Sequence, residues 1–221
     1  MSNLAELPFQ EGASATPLSR PENLARSAFH VSAGLVSLTL IRLLPSRGWL
    51  IAAAGAFALF AWTAETIRRR SPSANAKLMR FFGPVAHPHE RHHTNSSTWY
   101  VTALTLLATL APLPAAELAV LVLGFADPAA GAVGRRFGRT KIAEGRTLEG
   151  SVAFVVVGGA VSLVWLSITG VPLVRALVLG VVAGIAGALA EIASSKRFDD
   201  NFTIPVAVAA LVSAALPFAQ G

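Results

Sequence analysis

Asp127 stands inside an apolar run, and a carboxylate at bilayer depth is costly enough to mark a functional site unless a partner neutralises it. Downstream, Gly131, Gly134 and Gly138 are interleaved with Arg135, Arg136, Arg139, Lys141 and Arg146, and Glu149 heads the next apolar run. Glycines beside Arg and Lys let backbone N–H groups and positive charge come close to phosphates. Phosphoryl transfer needs cations over the phosphates, carboxylates for a divalent ion, and a base or orienting group for the attacking hydroxyl. All three residue types occur within the 23 residues from Asp127 to Glu149. The run is not a Walker loop, which needs Gly-x4-Gly-Lys-Ser/Thr between a strand and a helix. Taken alone, Gly134 to Lys141 reads equally well as a positively charged stop signal with turn glycines at a membrane edge.

Other polar groups fall at the same depth. His30 follows Arg26 by one turn, Glu65 and Glu191 close two apolar runs, and Asp199-Asp200-Asn201 precede the last one. Glu65 is explained as well by pairing with Arg68 and Arg69 in its own helix. Asp127 has no cation within four residues, and the adjacent Asp199 and Asp200 repel unless a metal or cations bind them. The imidazoles from His87 to His93 match neither His-Glu-x-x-His nor a zinc finger, and Pro88 interrupts any helix that would align them. That segment reads as a solvated basic loop.

The elements that must position these groups are membrane helices. Apolar residues make up 53% of the chain and charged residues 14%, well below a soluble domain's usual quarter. Seven apolar runs stand at about 26–44, 49–67, 97–113, 115–134, 149–169, 173–194 and 202–218, most near the roughly 20 residues a span needs; the third and last are short. The fold expected is therefore all-α, a polytopic bundle of about seven transmembrane helices. Residues 1–20 read as a disordered tail and 21–221 as a single transmembrane domain.

Seven spans put 15 of the 18 Lys and Arg residues on the side of the N-terminus and 3 on the other. The positive-inside rule makes the first side cytosolic, so the net charge of +6 belongs to topology and calls for no nucleic acid. Trp49, Trp62, Trp99, Tyr100 and Trp165 fall near span ends, where aromatic belts sit. Residues 74–82 read as a short amphipathic helix whose Leu78, Met79, Phe81 and Phe82 dip into lipid. Gly180, Gly184 and Gly187, with Gly158-Gly159, make small-residue faces for close helix packing. With no cysteine, disulfides and thiolate metal sites are excluded.

Several blocks, in order over about residues 22–205, resemble the CTP-dependent lipid kinases: dolichol kinase, phytol and farnesol kinases and CTP-dependent diacylglycerol kinase. Arg26-Ser-Ala-Phe-His30 with Gly34 is similar to the family's Arg-Lys-x-x-His, with Ser27 in place of the Lys. Ala126-Asp127, Gly131, Gly134, Gly138 and Lys141 follow its Gly-Asp and Gly-x-x-Gly block, and Arg146-Thr147-Leu-Glu149-Gly150 its Lys-Ser-x-Glu-Gly. Asp199 to Pro205 reproduces its Asp-Asp-Asn-x-Thr-Ile-Pro, while His87 to Glu90 meets an Arg-x-x-Glu block without the Arg.

The resemblance implies transfer of the γ-phosphoryl of CTP to a polyprenol, phytol-type prenol or diacylglycerol at the cytosolic face, with Mg2+ or another divalent cation. It casts Asp127, Glu149 and His30 as catalytic, His30 orienting the lipid hydroxyl. Gly131, Gly134, Arg135, Gly138, Lys141, Arg146 and Thr147 would bind nucleotide, and Asp127, Glu149, Asp199 and Asp200 would hold metal. Two alternatives stand beside it. A phosphatidate cytidylyltransferase would also join CTP to a membrane lipid, though its C-terminal pattern finds no good match. A transporter would carry its polar groups at midplane rather than toward one face. Oligomeric state is not encoded in any of these features.

Overall fold

The computed structural model describes residues 24–82, 93–195 and 198–218. The tail at 1–20 and the loop from His87 to His92 lie outside them. In chain order the elements are α1 (Leu24–Leu43), α2 (Arg47–Arg70), α3 (Pro72–Phe82), α4 (Ser96–Leu110) and α5 (Leu113–Phe137), then β1 (Lys141–Ala143), β2 (Arg146–Thr147), α6 (Leu148–Ile168), α7 (Leu173–Ala193) and α8 (Asp200–Ala215). The chain is an all-α membrane bundle. Helices α1, α2, α5, α6 and α7 are long and apolar enough to cross a membrane. Helices α4 and α8 occupy the two remaining apolar runs with 15 and 16 residues.

Helix α5 forms the centre. Its Ala115 to Gly124 stretch is buried on every side, so it needs no polar face, and it packs against α1, α6, α7 and α8. Where α1 crosses α5, Gly34 lies on Gly124. A Cβ at Gly34 would sit 2.9 Å from the Val120 carbonyl oxygen and 3.2 Å from the Gly124 Cα, so only glycine admits this approach. The expected glycine faces pack α6 on α7 in the same way, with a Cβ at Gly184 falling 2.6 Å from the Val155 carbonyl. Helix α2 instead packs on α4, and α4 on α8.

Helix α3 starts at Pro72, a position where a missing N–H costs nothing. One expectation for it fails: Met79 is buried in the protein rather than dipping into lipid. A second departure is the glycine-cation run: α5 continues through Arg135, Arg136 and Phe137, and only the segment from Lys141 to Thr147 forms a β-hairpin. Its two strands pair antiparallel, Lys141 with Thr147 and Ala143 with Arg146, across a turn whose Gly145 takes φ +73°. At the bundle's opposite end, Glu117 is clamped by Arg42 Nε at 2.8 Å and by Trp165 Nε1 at 2.8 Å, tying α1 and α6 to the N-terminal part of α5.

Candidate active site

The α1–α5 crossing sets the first contact. One turn beyond Gly34 and Gly124, His30 Nδ1 lies 3.6 Å from Asp127 Oδ2, with the side chains 7% and 15% exposed. Pro128, immediately after Asp127, brings no N–H to the Gly124 carbonyl, which loosens the helix at this level.

The hairpin sets the second. Arg146 on β2 reaches back over the bundle and donates from Nη2 to Asp200 Oδ2 at 3.0 Å and to Ser194 Oγ at 3.3 Å, while its Nη1 lies 3.4 Å from Glu191 Oε1. Burial works against the Arg146 charge. Asp200, Glu191 and Asp127 outweigh it and hold the guanidinium above its ordinary range.

The third contact is the start of α8. Asp199 caps that helix, its Oδ1 accepting from Asn201 N at 3.0 Å and from Asn201 Nδ2 at 2.7 Å. Ser96 Oγ, from the first turn of α4, donates to Asp199 Oδ2 at 2.9 Å. Burial, then the neighbouring Asp200, push the Asp199 carboxyl up to about 7. Asn201 Nδ2 also donates to Asp200 Oδ1 at 3.0 Å. Four carboxylates (Asp127, Glu191, Asp199, Asp200) thus share a pocket in which Arg146, Arg26 and Arg135 act on them.

The remaining predicted residues lie beside this pocket, along the end of α5, the hairpin and the start of α6. Thr147 caps α6, its Oγ1 accepting from Gly150 N at 3.2 Å. Gly134 and Gly138 make room for it: a Cβ at Gly138 would fall 2.7 Å from Thr147 Cγ2, and one at Gly134 3.0 Å from Thr147 Oγ1. Their closeness therefore folds the hairpin onto the last turn of α5. Gly131 faces the Arg135 guanidinium, and Arg135 and Lys141 are exposed. Glu149 is not brought to the acid pocket; both its oxygens accept from Thr140 N, at 3.2 and 3.3 Å, closing the hairpin's base.

Carboxylate oxygens suit a hard cation, and Mg2+ is held by one or two carboxylates plus substrate phosphates rather than by a protein cage. The acid pocket fits that pattern. Among the described residues no three acidic or imidazole side chains converge as a metal-holding group.

No family model matches the chain, and no solved structure does. Three curated proteins, each named CTP-dependent diacylglycerol kinase 1, are similar to it. The one from Schizosaccharomyces pombe is 28% identical over 204 residues, 88% of this chain and 94% of that protein. The one from Saccharomyces cerevisiae is 27% identical over 203 residues, 83% and 70%. The one from Eremothecium gossypii is 28% identical over 218 residues, 88% and 68%. These likenesses support the CTP-dependent lipid kinase family for this chain.

Three polar residues of the pocket carry weaker sequence signals. Glu191 stands out only as an acid ending an apolar run. Ser96 looks like a helix-start serine, and nothing local points to Asp199, 103 residues away. Ser194 follows Glu191 as a plain helix end. Glu65 takes the reading of an ion pair: Arg68 donates to both its oxygens at 2.8 and 2.7 Å, and Arg69 adds a third bond at 2.7 Å. Glu65 and Arg68, 2% and 3% exposed, brace the approach to α4 through Asn95 N and the His93 carbonyl.

Proposed function

We propose that this protein is a lipid kinase that transfers the γ-phosphoryl group of CTP to the hydroxyl of a membrane lipid alcohol at the cytosolic face, with diacylglycerol the first candidate. The observation that carries the reading is Arg146, the hairpin cation that sits among acids from α5, α7 and α8 beside the His30–Asp127 pair. The relatives' shared name supports CTP as donor and diacylglycerol as acceptor. The gathering of 15 cations on the side of the pocket supports the cytosolic orientation.

In this reading the lipid hydroxyl arrives between α1 and α5. Its oxygen attacks the γ-phosphorus, the bond from that phosphorus to the β-bridging oxygen breaks, and CDP leaves. Asp127 accepts the hydroxyl proton, with His30 Nδ1 fixing the carboxylate that receives it. Arg146, Arg135 and Lys141 offset charge on the phosphate chain, Arg146 from within the pocket, Arg135 from the exposed last turn of α5 and Lys141 from the exposed hairpin. A divalent ion bound by Asp127, Asp199 or Asp200 together with phosphate oxygens would supply the remaining positive charge. Glu149 acts by closing the hairpin that presents these cations.

Purified protein in detergent, given labelled CTP or other nucleoside triphosphates and a panel of diacylglycerol, polyprenols and phytol, is expected to label diacylglycerol from CTP. No labelled lipid with any alcohol and any nucleotide refutes the reading. Asp127→Asn is expected to abolish turnover in a protein that still folds, and full activity in that variant refutes the assignment of the base.

A further inference from the structure

Helices α1 and α2 follow one another in the chain but are held by different partners, α1 by α5 and α2 by α4. Between them a groove opens toward lipid. Ile41 of α1, Leu50 and Ala54 of α2, Leu104 and Ala108 of α4 and Ala116 of α5 line it, and the exposed Phe57 and Leu40 form its rim. Its one polar lining residue, Ser37, is already bonded to Tyr100, hydroxyl to hydroxyl at 2.9 Å. The occupant must therefore be hydrocarbon.

Both main walls run up to the acid pocket. On α1, Ser37 lies seven residues, close to two full turns, from His30, so the two side chains share a face. On α4, Leu104 and Ala108 lie two and three turns from Ser96, the residue bonded to Asp199. At about 1.5 Å per residue, the Ser37–Ile41 wall lies about 10 to 17 Å beneath His30. Half the hydrocarbon thickness is about 15 Å, so the groove lies where the distal end of a tail anchored by its hydroxyl at the pocket would reach.

We infer that this groove is the chain-length gauge of the kinase, taking the distal segment of the lipid substrate's tail. It rests on the lipid kinase reading above. Membrane lipid is as apolar as the groove, so burying methylenes there gains little, and the groove acts by giving room: a tail long enough to reach it needs that space beside the bundle, while a shorter tail does not.

The test is competition between dioctanoylglycerol and dioleoylglycerol for labelled CTP in one mixture. Ala54→Phe, which fills the groove, is expected to move the ratio of kcat/KM at least tenfold toward the shorter lipid. Ala56→Phe, on the exposed face of α2, is expected to leave the ratio unchanged. An unchanged ratio in Ala54→Phe overturns the inference while leaving the kinase reading intact. Wild-type protein inactive on both lipids overturns the diacylglycerol assignment, and this inference with it, whereas the kinase reading falls only if no alcohol is labelled. A second measurement does not depend on a variant that folds: a diacylglycerol with a photoreactive group at its tail end is expected to label α2 and α4 residues of the wild-type groove. Equal labelling by a phosphatidylcholine carrying the same group assigns the groove to bulk lipid and overturns the inference. Chain-to-chain crosslinks from Ala54→Cys would assign it to a second copy and overturn it too.

Discussion

Replacing Arg146 by Met removes the one hairpin cation that reaches Glu191, Asp200 and Ser194, at 3.4, 3.0 and 3.3 Å. Hydrogen bonds to charged groups contribute roughly 1.5–3 kcal/mol each, and breaking a fully buried pair costs about 3–5 kcal/mol. Arg146 is 27% exposed, so water screens part of this, and about 2 kcal/mol is the expected loss of stability. In a chain of 221 residues that lowers Tm by about 4–8 °C. Catalysis suffers more, because charge on the transferring phosphoryl group loses a fixed donor; a fall of roughly 100- to 1000-fold in kcat is expected. Arg146→Lys keeps the charge but not the two-pronged geometry, and should recover part of the stability and little of the rate. Adding Mg2+ should raise the Tm of Arg146→Met more than that of the parent, since a divalent ion replaces the missing cation among the same carboxylates. The measurements are thermal melts and initial rates on the same detergent preparations. Parental Tm and kcat in Arg146→Met would refute the idea that this arginine organises the pocket.

Gly34→Ala places a methyl group 2.9 Å from the Val120 carbonyl and should push α1 off α5, costing about 1–3 kcal/mol and separating His30 from Asp127. Melts and kcat should fall together. Ser96→Ala removes the hydroxyl bonded to Asp199 at 2.9 Å; the Mg2+ concentration for half-maximal rate should rise several-fold, with recovery in Ser96→Thr. Asp199 has a folded pKa near 7 against 3.8 for a free side chain, so the folded protein holds a proton that the unfolded chain has released between those values. In metal-free protein its contribution to stability is therefore fully present below 3.8 and is lost as pH rises through about 7. The Tm profile of Asp199→Asn should lack that slope.

The membrane helices were legible because a fully apolar run of bilayer length has few other solutions, and α3 was legible from its amphipathic spacing. The hairpin was not. Lys141–Ala143 and Arg146–Thr147 are too short to show alternation, and the glycines around them read equally as a loop. Asp127 announced itself as an acid without a local cation, and its partner His30 lies one turn from the glycine that lets α1 approach. Spacing brackets Glu149 with Asp127 in the sequence. As the second residue of α6 it turns instead toward the Thr140 N–H left open at the hairpin's base. Glu191 and Ser96 join the pocket only through the packing of α7 and α4 on α8, a tertiary fact that no local pattern encodes.

The central claim concerns which phosphorus reaches the lipid. Parallel incubations with CTP labelled at the γ-phosphorus or at the α-phosphorus, with diacylglycerol and Mg2+, separate the outcomes. The account predicts a labelled lipid phosphate from the γ-label only, with CDP as the nucleotide product. Lipid labelled from the α-position with release of pyrophosphate would contradict it.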